Sequence, residues 1–264
     1  MGSEKVVSIK VGVSRMTVAL HDRSGKIQDL RVWRTPKKIS SVQEPFENFQ
    51  LPERWGNILE VVLISVVPQL TAWLKLIFSK NSRITLHCPS AEEWGLEIEY
   101  FPRKTLGVDR IAACHGALVR YPELTGRSFV VADFGSHTVM TLYRKGTILG
   151  GSIAAGIPLQ LASIGGGLVL GPSILKLPKG VVGKSTEESI AVGTILGAVK
   201  GVEGLFERME KECGGELELI LTGGLSQLLR PFFRLPLRSD RQLIHYGAWG
   251  VHAEGSNKEG PGKF

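Results

Sequence analysis

The sequence predicts an α/β protein made of two similarly built halves. Each half opens with three hairpin-linked strands and continues with strands that alternate with helices. Residues 6–34 give the first set of strands, VVSIKVGV, MTVALHD and KIQDLRVWR, with a glycine turn at Gly12 and a hairpin turn at Ser24-Gly25. Phe129–Gly156 follows the same plan, with a glycine turn at Gly135 and a Lys145-Gly146 turn. Identity between the halves is negligible, so the repeat is one of pattern. The expected division is residues 1–115, residues 116–253 and a polar, glycine-rich tail at 254–264 that lacks the apolar content to order itself.

Residues 35–55 are polar and proline-marked and read as a surface connection. VVLISVV (Val61–Val67) is a buried strand, and Pro68 follows at a helix N-terminus, where its missing N–H does no harm. The helix QLTAWLKLIF puts Leu70, Trp73, Leu74 and Ile77 on one face. Short strands are expected at Ile84–His87 and Leu96–Tyr100. LGVDRIAACHGALVRY starts a helix near Asp109 and buries Ile111, Ala112, Leu118 and Val119. After the second strand set, PLQLASI is a short helix, followed by the glycine-rich GGGLVLGPS and a Pro/Lys stretch ending at Gly183. Ser185-Thr186-Glu187-Glu188 has the form of a helix cap with acids in the first turn. That helix runs to about Cys213. A strand at Glu218–Leu221 leads to Thr222-Gly223-Gly224 and a helix near Leu225. Two halves of this kind, facing one another, make a cleft into which each glycine turn points. That is the logic of the paired ribonuclease H-like domains in the actin, sugar kinase and Hsp70 ATPase fold.

Composition limits the function classes. Hydrophobic residues make up 43% and charged residues 22% of 264, as in an ordinary globular protein. No apolar run approaches the roughly 20 residues of a membrane span, and MGSEKVV has no secretory h-region. Cys88, Cys114 and Cys213 are scattered and fit neither a metal site nor a disulfide framework, so a reducing cytoplasm is expected. A net charge of +7 calls for an anionic partner. The arginine-rich stretch 230–241 reads as a solvated loop, and with no binding motif beside it nucleic acid is an unlikely partner.

The strand Phe129–Ala132 is a continuous apolar run that delivers Asp133 into a turn at Gly135. Gly135 lets a backbone amide approach a ligand, and Ser136, His137 and Thr138 add side-chain donors. Such a turn can hold a phosphate or its metal, or it can be a hairpin whose aspartate starts the turn.

Five short motifs in order resemble those of the type III pantothenate kinases, over most of the chain. Leu106–Arg110 (LGVDR) resembles the family's G-x-D-R motif, and Asp133-Phe134-Gly135-Ser136 its D-x-G-T turn. Gly150-Gly151-Ser152-Ile153 with Gly156 is similar to GG-x-I-x-P-G, Gly183–Thr186 to G-x-N-T, and Leu221–Gly224 to the nucleotide-side T-G-G. Ile64–Pro68 (ISVVP) also has a counterpart. The resemblance implies ATP-dependent phosphorylation of pantothenate, the first step toward coenzyme A, by a homodimer using Mg²⁺ and a monovalent cation (K⁺ or NH₄⁺). It implies Asp109 as base, with Gly107, Arg110, Thr186 and Tyr100 around pantothenate. Asp133 would hold the metal. Lys10, Gly12, Ser14, Gly135, Ser136, Thr222, Gly223 and Gly224 would lie near the ATP phosphates. Read without the family, Asp109 is more readily a helix N-cap and Arg110 a surface ion pair.

Four departures stand out. The family's first turn reads D-x-G-N-T, whereas this chain has Lys10-Val11-Gly12-Val13-Ser14. Lys10 can touch a phosphate but cannot ligate Mg²⁺. The second turn keeps Asp133 and Gly135 but has Thr141 where the family has a last acid. Ala155 replaces a proline, and Pro102 stands where the family usually has asparagine. The alternative expectation is therefore a weak or inactive homologue acting as an accessory binding protein.

Overall fold

The computed structural model describes residues 5–35, 51–56, 58–167 and 176–258. Most of the connection expected at 35–55, and the end of the glycine-rich segment at 168–175, lie outside them. The chain divides into two units, residues 1–96 with 101–122 and 243–264, and residues 97–100 with 123–242. This corrects the expected break at 115/116: the last helix belongs to the first unit, and the strand near residue 97 to the second.

In the first unit, strands β1 (Val6–Val11), β2 (Arg15–His21), β3 (Ile27–Arg34), β4 (Glu60–Ser65) and β5 (Thr85–His87) form one sheet in the order β3-β2-β1-β4-β5. The first three are antiparallel, and β1, β4 and β5 run parallel. One face buries Val7, Ile9, Val11, Met16 and Val18 against Leu70, Trp73 and Leu74 of helix α1 (Pro68–Ser79). Period-2 alternation on β1 turns Ser8 and Lys10 to the opposite face.

The opposite face meets helix α2 (Val108–Arg120). Its residues Arg110–Ala117 are buried in an unbroken run, whereas Leu118 and Val119, expected in the core, are only partly covered. Both sides of α2 are covered because a further helix lies on it.

In the second unit, β6 (Glu97–Ile98), β7 (Ser128–Phe134), β8 (His137–Arg144), β9 (Thr147–Ala155), β10 (Glu218–Thr222) and β11 (Leu237–Ser239) form a sheet ordered β11-β10-β7-β8-β9-β6. Strands β9-β8-β7-β10-β11 repeat the order and sense of β3-β2-β1-β4-β5. The strand β11 lies inside the stretch read as a solvated loop; Leu237 pairs with Leu219, and Arg238 bonds Glu218 at 2.8 Å. Helices α3 (Ile157–Gly167), α4 (Thr186–Ala191) and α5 (Gly197–Cys213) follow, with a π turn over Val192–Leu196 joining the last two. The expected helix near Leu225 is the single turn α6 (Ser226–Leu229). Among the described residues, the 28-residue helix Thr186–Cys213 is long and apolar enough to cross a membrane by length and composition alone. Its Ile195, Val199, Val202 and Phe206 are core residues of this unit.

Helix α7 (Leu243–Lys258) returns to the first unit. It corrects the expected disordered tail, since residues 254–258 are helical and Glu254 reaches His115 at 3.2 Å. The remainder, 259–264, lies outside the described residues. Helix α7 crosses α2 with almost no space between backbones. A Cβ on Gly247 would sit 2.0 Å from the Ala112 carbonyl oxygen, and one on Gly116 1.8 Å from that of Leu243.

His245 of α7 extends a buried polar chain across the sheet. Its Nε2 is 2.8 Å from Thr17 Oγ1 and its Nδ1 is 2.7 Å from Ser8 Oγ; Ser8 Oγ is 2.7 Å from His21 Nε2, and His21 Nδ1 is 3.0 Å from the Gly25 carbonyl oxygen. That carbonyl can only accept, and with both imidazoles kept neutral by burial this fixes every proton. His21 donates from Nδ1, Ser8 donates to His21, His245 donates from Nδ1 to Ser8, and Thr17 donates to His245. Both imidazoles are neutral in this arrangement. Burial pushes His21 down to about 4, against smaller opposing effects of the Gly25 carbonyl and Asp22. Burial, then His21 and Lys10, push His245 well below the usual histidine range.

Two predictions follow from this packing. The unfolded chain takes up protons at these histidines below about pH 6.5, while folded His21 does so only near pH 4. Stability is therefore complete above pH 6.5 and is lost as pH falls from 6.5 toward 4, by about 3 kcal/mol for His21. Thermal melts across that range should show Tm falling, with a shallower slope in His21→Gln; parallel slopes would rule His21 out as the cause. Gly247→Ala should cost at least ~1–3 kcal/mol by forcing α2 and α7 apart, measured by urea unfolding.

Candidate functional site

The first unit holds two of the expected groups close together. The Gly12–Ser14 turn joins β1 to β2, and the Gly12 N–H donates to the Arg15 carbonyl at 2.9 Å. A Cβ at Gly12 would lie 3.3 Å from that oxygen, a tight fit that favours glycine in the return. Thr35, just past β3, locks the turn from outside. Its hydroxyl donates to the Gly12 carbonyl at 2.7 Å and its N–H to the Ser14 carbonyl at 3.0 Å. Thr35 falls in the segment read as a surface connection, and nothing in its sequence context marks this role. Lys10 is partly buried and directly opposite Thr17.

Next to this turn, the Val66 N–H donates to the Val11 carbonyl at 3.2 Å. The Val66 side chain also lies 3.7 Å from where a Cβ on Gly107 would be. Gly107 is the N-cap residue of α2, and Asp109 sits in the first turn. Asp109 is therefore not the N-cap. Its Oδ1 accepts the Arg110 N–H at 2.9 Å, and a Cβ on Gly107 would come within 2.5 Å of that oxygen. Glycine at 107 thus leaves room for the carboxylate to lie over the helix start, where the dipole favours an anion. Arg110 is 7% exposed, which excludes the surface ion pair. Burial pushes the thiol of nearby Cys114 up to about 12, with Arg110 opposing, so this cysteine is no nucleophile.

The second unit holds the remaining residues. Asp133 lies near the end of β7, beside Thr222 on parallel β10. The turn at Gly135-Ser136 is closed by Gly135 N–H to the His137 carbonyl and Gly156 N–H to the Ser136 carbonyl, both at 3.0 Å. A Cβ on Gly156 would be 2.5 Å from the Gly135 and Ser136 oxygens. Gly223 has φ +90°, and its Cβ would fall 2.1 Å from Asp133 Oδ1. The Thr222-Gly223-Gly224 turn is therefore pressed directly against the Asp133 carboxylate. Ser226 Oγ donates to the Gly223 carbonyl at 2.9 Å, and Leu225 N–H to that of Phe134 at 3.2 Å.

Thr186 is the exposed first residue of α4. Ser185 caps the helix by accepting the Glu188 N–H at 3.2 Å, and Glu188 Oε2 accepts the Lys184 N–H at 2.7 Å. A Cβ on Gly183 would collide with Ser189 N at 2.3 Å. Tyr100 packs its ring where a Cβ on Gly150 would stand, 3.3 Å away; Gly150 has φ +128°. Lys10, Gly12, Ser14, Gly107, Asp109 and Arg110 thus belong to the first unit. Tyr100, Asp133, Gly135, Ser136, Thr186, Thr222, Gly223 and Gly224 belong to the second. Among the described residues no three His, Cys, Asp or Glu side chains gather as a metal site.

The sequence profile of the type III pantothenate kinase family matches residues 6–208. The type III pantothenate kinase of Thermomicrobium roseum is 32% identical over 195 residues, 73% of this chain and 74% of that protein. Among solved structures, a Campylobacter jejuni protein described as a Baf family transcriptional activator superposes with TM-score 0.61 at 19% identity, covering 95% of this chain and 99% of that one. A ROK family glucokinase from Streptomyces griseus, solved with glucose and AMPPNP, gives TM-score 0.54 at 9% identity, covering 94% and 98%. The last two show the fold alone, that of the sugar kinases. With the matched profile reaching from β1 into α5 and a relative above 30% identity, the chain belongs to the type III pantothenate kinase family.

Proposed function

We propose that the protein transfers the γ-phosphoryl group of ATP to pantothenate, giving 4′-phosphopantothenate in the first step of coenzyme A biosynthesis. Family membership supports this reading, and the observation that carries it to particular residues is Asp109 over the start of α2, with Gly107 leaving it room. Asp109 takes the proton of the substrate's primary hydroxyl as that oxygen bonds to the γ-phosphorus and the bond to the departing ADP breaks. Arg110 meets the pantothenate carboxylate, with Thr186 and Tyr100 as further pantothenate contacts.

A single carboxylate, Asp133, suits Mg²⁺, which is commonly held by one or two carboxylates together with substrate phosphates. When bound, Mg²⁺ supplies positive charge to the phosphates. Gly135, Ser136 and the Thr222–Gly224 turn, together with Lys10, Gly12 and Ser14, contact the nucleotide. A monovalent cation, a homodimer and a cytoplasmic location complete the reading. The specific observation favouring the second reading, an accessory binding protein of weak or no activity, is Lys10 where the family has an acid.

Purified protein with ATP, Mg²⁺, K⁺ and pantothenate should form phosphopantothenate; none at high ATP would leave the accessory reading standing. Asp109→Asn should lower turnover by about 10²–10⁴-fold with ATP affinity nearly unchanged in calorimetry, and wild-type turnover in that variant would remove Asp109 as the base.

A further inference from the structure

The first glycine turn carries more positive charge than Lys10 alone. Lys10 and Ser8 lie on the face of the sheet away from the α1 core. Pairing register extends that face across the strands. Lys10 is directly opposite Thr17, Arg15 is two residues before Thr17 on β2, and Arg15 is directly opposite Arg34 on β3. Side chains directly opposite, or two apart on one strand, point the same way. Ser8 and Thr17 both bond His245, which identifies the face as the one α7 covers. Lys10, Arg15 and Arg34 therefore share one face at the turn end of β1–β3, with neighbours about 5–7 Å apart.

Arg15 and Arg34 are exposed, and among the described residues no carboxylate pairs with either. Two like charges directly opposite on a sheet destabilise it. An anion at the turn relieves the repulsion between Arg15 and Arg34. The turn is also held ready, because Thr35, the residue after Arg34, fixes the Gly12 and Ser14 carbonyls. Neutral His245 adds no further charge next to Lys10.

We propose that Arg15 and Arg34 join Lys10 in a clamp on the phosphate chain of a nucleoside triphosphate. The inference rests on the nucleotide reading of this turn given above. An acid at position 10 would reach phosphate only through a cation; here side chains meet it directly. Guanidinium forks suit phosphate oxygens, which they bind bidentately. Triphosphate binding at this turn consequently depends less on Mg²⁺ than on the two arginines.

Calorimetry on the full-length protein tests this, with ATP titrated in Mg²⁺ and in EDTA, and pantothenate titrated separately. In the doubly substituted R15Q/R34Q, the Kd for ATP should rise by about tenfold or more, with pantothenate affinity within about twofold and the melting temperature no lower than that of the wild type. R15K/R34K should recover part of the loss, and inorganic triphosphate should compete with ATP in the wild type. An unchanged ATP Kd in folded R15Q/R34Q overturns the clamp, as does ATP binding by the wild type that vanishes in EDTA. If the double variant melts early, R34Q on the exposed edge strand decides, with a weaker ATP affinity for the proposal and an unchanged one against it. Wild-type protein that binds ATP but forms no phosphopantothenate removes the kinase reading, and the binding series still decides the clamp. Wild-type protein that binds neither ATP nor triphosphate overturns both.

Discussion

The first unit depends on the contact between α2 and α7, where two glycines let backbone meet backbone. Gly116 and Gly247 leave no room for a methyl group, and the helices are fixed relative to one another as a consequence. Because α2 begins at Gly107, its position determines where Asp109 and Arg110 stand. Helix α7 is tied to the sheet as well, through His245 to β1 and β2, and through Trp249 packed against the β2–β3 turn at Gly25. One helix thus sets the position of the α2 start and of the face that bears Lys10. A neutral hydrogen-bonded chain, rather than an ion pair, makes the tie through His245.

Both units hold their glycine turns by the same means, occupying the turn carbonyls with fixed donors. Thr35 occupies those of Gly12 and Ser14, Gly156 that of Ser136, and Leu225 that of Phe134. Preorganised turns of this kind need not rearrange when charge arrives. They differ in sign, with Lys10 flanking the first and Asp133 flanking the second. An acid against Gly223, with no space between them, has little freedom to move. Lys10 lies on a covered sheet face, at the turn end that also carries Arg15 and Arg34.

Much of this was legible because strands and turns are local. The hairpins at Ser24-Gly25 and Lys145-Gly146, the strand before Pro68 and the Ser185 cap follow from short-range chemistry, and the same patterns put Asp109 near a helix start and Asp133 at the end of a strand. What was missed depends on distant contacts. Helix α7 reads poorly because Gly247 and Gly250 weaken helix propensity, yet those glycines are there for the α2 contact. Strand β11 has three residues, too few for a period, and its Arg238 looks solvated until Glu218 is placed beside it. Thr35 and the opposition of Arg15 to Arg34 require pairing register, which no motif encodes.

The position of α7 in the chain also affects how the protein is made. The second unit comes from an almost continuous stretch, residues 123–242, and has all its strands but the two-residue β6 within it. The first unit begins at the N-terminus but lacks the partner of α2 until residues 243–258 have been synthesised. During synthesis, the later half of the chain can close while the earlier half still exposes the face of its sheet that α7 will cover. The units are thus completed in the opposite sense to the usual N-to-C order of domain folding, and a chain that stops before Leu243 lacks the helix that packs on α2, at whose start Asp109 stands.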